Sequence, residues 1–154
     1  MPKQSAGLVI YRRRNERTEY FLVHPGGPFW QNKDAGSWSI PKGEFGPEEI
    51  PLDVAQRELL EETGLRVDGP FLPLGPIKQK GGKIVHAWAV AADFDADQIQ
   101  SNTFSIEWPP RSGKLREFPE VDRAAWFDFD TALEKMVEAQ RDLLKQLEKL
   151  LSNN

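Results

Sequence analysis

Short apolar runs separated by polar turns fill the first third of the chain. Residues 6–12 (AGLVIYR) and 19–24 (EYFLVH) are rich in β-formers, which predicts two strands. The polar stretch Arg14-Asn15-Glu16-Arg17 between them predicts a hairpin. Pro25-Gly26-Gly27-Pro28 ends the second strand, and residues 29–36 read as a surface loop. The period then becomes helical. Leu52, Ala55 and Leu59 recur as one apolar stripe. Pro47 suits a first helical turn, Glu48 and Glu49 suit its positive end, and Gly64 suits a C-cap. A helix opening at Pro47 and closing at Gly64 is the expectation.

Beyond Gly64 the pattern returns to strands. Residues 77–80 and 83–95 flank Gly81-Gly82, a pair that accepts a tight hairpin turn. Both alternating faces of the second run are apolar, which predicts a strand covered on both sides. Residues 104–108 add another strand. Residues 131–151 form a predicted helix capped by Asp130, with Ala132, Met136, Ala139, Leu143 and Leu147 as its stripe. Its leucines, from Leu143 to Leu151, could serve a dimer, and Ser152-Asn153-Asn154 should fray. This order predicts an α/β fold with a mixed sheet between helices, as one domain over residues 1–154.

Composition narrows the field. The 154 residues are 39% apolar and 29% charged, ordinary for one globular domain. No apolar run approaches a transmembrane length, and the N-terminal residues lack a signal-type apolar core. Cysteine is absent, which excludes thiolate catalysis and Cys-bound zinc and fits a reducing cytoplasm. A net charge of −4 argues against general nucleic-acid binding.

The candidate chemistry lies on the central helix. Glu58, Glu61 and Glu62 stand at i, i+3 and i+4 and share one face, where like charges repel. Only Arg57 is near them in sequence. An acidic solvated face is one reading; a face that takes a hard divalent cation is the other.

The whole stretch decides between them. Gly43, Glu49, Arg57-Glu58-Leu59, Glu61-Glu62 and Gly64-Leu65 stand at the offsets of the Nudix box, and the chain resembles the Nudix hydrolases in every fixed position of that pattern. The resemblance implies a Nudix-type α/β/α sandwich and metal-dependent hydrolysis of a nucleoside diphosphate linked to another group. It implies Mg²⁺ or Mn²⁺ on Glu58, Glu61 and Glu62 and on the Lys42 carbonyl. Gly43, Glu49, Arg57 and Gly64 would shape the motif: Gly43 where the loop enters the helix, Arg57 by pairing with Glu49 or Glu62.

The run Trp38-Ser39-Ile40-Pro41-Lys42-Gly43 is similar to segments preceding the box in Nudix proteins that act on diadenosine polyphosphates, nucleoside triphosphates or capped RNA. Lys42 and Trp38 are therefore candidate substrate contacts. Trp108, Arg111 and Lys114, with Arg116, form a second candidate group that could hold a base and phosphates. Trp30 is a further loop aromatic. Glu120 stands six residues before Trp126, an offset at which several family members carry a metal-linked glutamate. Glu120 and Glu61 are the candidate general bases, and Glu117 competes with Glu120. His86 reads as a strand histidine satisfied by a neighbour, and Lys78, Lys80 and Lys83 as a solvated hairpin tip. The expected substrate is a small nucleotide, diadenosine polyphosphate, nucleoside triphosphate or oxidised triphosphate. RNA 5′ ends or inositol pyrophosphates are the alternative, and a non-catalytic binding module is a third reading. No membrane partner is expected, and the chain would be a monomer or homodimer.

Overall fold

Strand β1 (Gln4–Arg14) organises the sheet, because its length is shared among several partners. In the computed structural model, which describes residues 2–152, residues 10–14 pair antiparallel with β2 (Arg17–Pro25). Residues 4–7 pair antiparallel with β3 (Lys42–Phe45). The hairpin turn uses Asn15 and Glu16, both with positive φ (52° and 67°), matching the twist of the strands it joins. Short strands β4 (Leu72–Pro73) and β5 (Ile77–Lys78) border β6 (Ile84–Ala91), which runs parallel along the other edge of β1. A separate ribbon pairs β7 (Thr103–Glu107) with β8 (Leu115–Pro119). The last strand, β9 (Val121–Asp128), joins β2. The main order is β4-β6-β1-β2-β9, with β3 beside β1 and β5 beside β6. This is a mixed sheet, as the alternation of strand and helix signals predicted.

Period-2 alternation sends the two faces to different helices. Ala6, Leu8, Ile10, Phe21 and Val23 pack on Val54, Ala55 and Leu59 of α1 (Pro51–Thr63). Val9, Tyr20, Leu22, Val85 and Ala87 pack on α2 (Phe129–Lys135) and α3 (Arg141–Ser152), through Ala132, Leu143, Leu144 and Leu147. Each large aliphatic side chain buried this way contributes about 1.5–3 kcal/mol. The sheet is thus enclosed on both faces, the α/β/α arrangement. Among the described residues no helix is long and apolar enough to cross a membrane.

Two helix boundaries differ from expectation. The central helix starts at Pro51, not Pro47. Residues 46–49 form a tight turn instead, in which the Glu49 N–H donates to the Gly46 carbonyl and the Glu49 carboxylate accepts from the Gly46 N–H. Pro51 takes the first-turn position, and Gly64 caps the far end at φ 77° as predicted. The terminal helix is broken in two. The Trp38 N–H donates to the Lys135 carbonyl, and its own carbonyl accepts from Val137. A neighbouring segment thereby captures groups that a continuous helix would use itself. Asp128, not Asp130, caps α2 by accepting from the Thr131 N–H at 2.9 Å. Of the three residues expected to fray, Ser152 is instead the last residue of α3, its hydroxyl donating to the Lys149 carbonyl at 3.0 Å, and Asn153 and Asn154 lie outside the described residues.

Candidate active site

A cleft of about 330 Å³ opens where α1, the end of β2, the approach to β3 and the start of β9 meet. Val23, Ile40 and Val121 provide its apolar lining; Lys42, Glu58, Glu62 and Glu120 provide its charge. These four residues come from three separate stretches of sequence, and the fold gathers them.

Helical geometry explains the depth of each glutamate. Glu62 continues the line of Val54, Ala55 and Leu59, so it is carried inward and is only 8% exposed. Burial first, then the nearby Glu58 carboxylate, pushes its pKa up to about 8. Lys42 opposes this rise, through its charge and through a backbone N–H donated to the Glu62 carboxylate. Glu58 is half-buried, and burial followed by Glu61 raises its pKa too. Glu61 stands at the rim, outside the cleft lining, and contributes to the raised pKa of Glu120 after burial. Lys42 is held below the ordinary lysine value, by burial and then by the Lys83 ammonium.

Arg57 organises the outer side. Its guanidinium bonds Glu49 at 3.0 Å and lies 3.7 Å from both Glu58 and Glu61. Of its two expected partners, Glu49 is the one it takes. Gly43 has a different purpose from the one expected. It sits within β3, paired to Ala6, and a Cβ there would lie 2.1 Å from the Glu58 carboxyl carbon. Glycine lets the Glu58 carboxylate lie against the backbone here; any larger residue would make it shift. Gly26 plays the same part opposite: its N–H donates to the Glu120 carbonyl at 2.9 Å, and a Cβ would meet the Pro119 carbonyl oxygen at 1.9 Å. In the sequence Gly26 signalled only a strand end; its steric role has no local signature.

Among the described residues no three acidic or histidine side chains are already gathered to grip an ion. The donor set nonetheless suits a hard cation. It consists of carboxylates with raised proton affinity around one cleft, and Lys42 is the only cation lining it.

Other candidates fall elsewhere. Trp38 is 4% exposed, packed on His24 and Phe127, with its indole N–H donated to Asp34 at 2.7 Å. It is a core residue, and the expectation of a substrate contact is corrected by its burial. Trp108, Arg111 and Lys114 lie in the loop that joins β7 to β8, outside the carboxylate cleft. Glu117 pairs across that ribbon with Ser105 and is exposed, which leaves Glu120 as the cleft carboxylate of this stretch. His86 bonds Gln4 at 2.7 Å, the satisfied state expected. A larger cleft near Arg12 and Trp126 is lined by Arg12 and Asp93, which pair with each other at 2.9 Å.

Comparison with known proteins bears on the fold and the family. An Ap4A hydrolase of C. elegans, in a binary complex, superposes with a TM-score of 0.68 over 99% of both chains at 22% identity, a likeness of fold. Among curated relatives, an RNA pyrophosphohydrolase of Bartonella henselae is 25% identical over 84% of this chain and 78% of its own. An asymmetrical bis(5′-nucleosyl)-tetraphosphatase of Rattus norvegicus is 29% identical over 63% of this chain and 71% of its own. An octanoyltransferase of Myxococcus xanthus is 28% identical over 88% of this chain, which spans only 33% of that protein's length. The NUDIX domain family matches residues 1–147, nearly the whole chain, and the chain belongs to that family of hydrolases acting on phosphoanhydride bonds.

Proposed function

We propose that the protein is a pyrophosphohydrolase of nucleoside polyphosphates, working with Mg²⁺ or Mn²⁺. The observation that carries this reading is the convergence of Glu58, Glu62, Glu120 and Lys42 on one cleft. Glu58, Glu61 and Glu62, with the Lys42 carbonyl, would hold the metal. Such an ion supplies charge neutralisation on phosphate oxygens and a more acidic attacking water. The Lys42 ammonium binds a phosphate as a point charge. Glu120 accepts the proton of the attacking water, and its raised pKa suits that work. Arg57 keeps Glu58 and Glu61 in place from outside the cleft.

The test is chromatographic separation of the products, nucleotide fragments and inorganic pyrophosphate or phosphate, formed from nucleoside triphosphates, oxidised triphosphates, diadenosine polyphosphates, a triphosphorylated RNA and an inositol pyrophosphate, with either metal. Turnover of one nucleotide class well above the rest is expected. The Bartonella RNA pyrophosphohydrolase likeness supports including the RNA; the net charge of −4 weighs against it. Metal-dependent activity confined to non-nucleotides would overturn the nucleotide assignment.

Gly43→Ala tests the packing of the site separately. The added Cβ must displace the Glu58 carboxylate while the core stays untouched. Turnover should fall ~10²-fold, the scale of an ångström-level misplacement, with the melting temperature nearly unchanged. Wild-type turnover would show that Glu58 has no positional role.

A further inference from the structure

The β7–β8 ribbon is built unlike the rest of the molecule. None of its residues enters the core on either face of the main sheet. Phe104, Ile106 and Trp108 alternate inward and are half-buried, whereas Thr103, Ser105 and Glu107 are exposed. Across the ribbon, Phe104 lies opposite Phe118 and Ile106 opposite Arg116, and Lys114 closes the pairing at Trp108. One face therefore carries aromatic rings together with Arg116 and Lys114. That face lies along the loop leaving β2. Phe104 abuts Gly27, and the Trp108 ring meets Phe29 edge-on at 5.4 Å. Phe29 is 57% exposed. Arg111, Lys114 and Arg116 are exposed and join no ion pair among the described residues.

The base of the ribbon is also tied, backbone to backbone, to the residues that carry two of the site carboxylates. The Asn102 N–H donates to the Glu61 carbonyl at 2.8 Å, and the Asn102 carbonyl accepts from the Glu120 N–H at 2.8 Å. One residue at its base thus joins α1 to Glu120. Phe29 is four residues from Pro25 in the cleft wall, at most ~15 Å along the chain.

Resting on the function proposed above, we infer that this face is the nucleobase-binding arm of the enzyme. The base of the substrate stacks against Phe29 and Trp108. Arg116 and Lys114 guide its phosphates toward the cleft. The Asn102 tie transmits occupation of the arm to Glu120. The exposed Phe29 ring and the half-buried Trp108 ring, beside cations that join no ion pair among the described residues, suit a ligand that is both aromatic and anionic, as a nucleotide is. Direct continuity with Glu120 assigns that ligand to the substrate rather than to a second protein. The binding energy of the base then serves the chemical step, not affinity alone.

The test compares the wild-type chain with Phe29→Ala/Trp108→Ala, and with Phe29→Tyr/Trp108→Phe, on its best nucleotide and on inorganic triphosphate. The alanine pair should lose ~10-fold or more in kcat/KM on the nucleotide, with kcat itself reduced, since one stacked base accounts for roughly 5- to 150-fold. The aromatic pair should retain most of the rate. The ratio of nucleotide to triphosphate turnover should collapse only in the alanine pair. Thermal melting confirms that the variants are folded, as expected for side chains outside the core. Wild-type nucleotide turnover with an unaffected alanine pair overturns the arm and leaves the proposed function standing. Turnover of inositol pyrophosphate alone overturns the nucleotide reading, and the arm with it.

Discussion

Glu62→Gln is expected to abolish turnover and to make the metal-free protein more stable. The native carboxylate is buried and its pKa is pushed up to about 8. An acid whose folded pKa lies above its unfolded value penalises folding whenever it must ionise. The penalty is absent below the ordinary glutamate range, grows as pH rises through the gap, and is complete above about 8. Each pH unit across that gap is worth about 1.4 kcal/mol. Glutamine keeps an acceptor for the Lys42 N–H and carries no charge. The variant and the native protein should therefore melt together near pH 4, and the variant should melt at least ~5 °C higher near pH 8 in a chelator. Added Mg²⁺ should raise the native melting temperature and leave the variant unmoved. Turnover should drop ~10²-fold or more, since loss of a group merely supporting a metal ligand already costs roughly 10–100-fold. An active variant would refute the metal assignment. A variant no more stable at pH 8 would refute the charge penalty and spare the metal.

Glu120→Gln is expected to lower kcat by roughly 10²–10⁴-fold, the contribution of a positioned general base. The fold should survive, because the backbone of Glu120, not its side chain, bonds to Gly26 and Asn102. KM should change little, since the Lys42 ammonium and the box carboxylates are untouched. Metal-induced stabilisation should also persist, which separates this variant from Glu62→Gln. A near-native kcat would pass the base role to Glu61, the rim carboxylate that already raises the pKa of Glu120.

Much of this was legible in one dimension, because local periodicity reports which face of an element is buried. The alternation in β1, β2 and β6 and the stripe of Ala55 and Leu59 are such signals. So is the offset of Glu58, Glu61 and Glu62, which helical geometry alone puts on one side. Gly64 was readable for the same reason: a left-handed cap is a demand of the local backbone. What the sequence could not reveal depends on groups brought together from far along the chain. Pro47 suits a helix start by its local chemistry; the Gly46–Glu49 turn, braced by Arg57, takes up that stretch, and the helix starts at Pro51. An unbroken stripe through Met136 gives no warning that Trp38 will take the carbonyl of Lys135. Trp38 resembles a ligand contact in its motif and is a core residue in space. Gly26 has no room for a side chain because the Pro119 carbonyl presses against it, and Gly43 leaves room for the Glu58 carboxylate; nothing beside either in sequence says so. The sequence by itself determined the sheet, the helix and its carboxylates. Tertiary structure alone decided which carboxylate is buried, that Glu120 lies opposite it just before β9, and that an aromatic, cationic ribbon leads into that same segment, because each depends on long-range packing that no local pattern encodes.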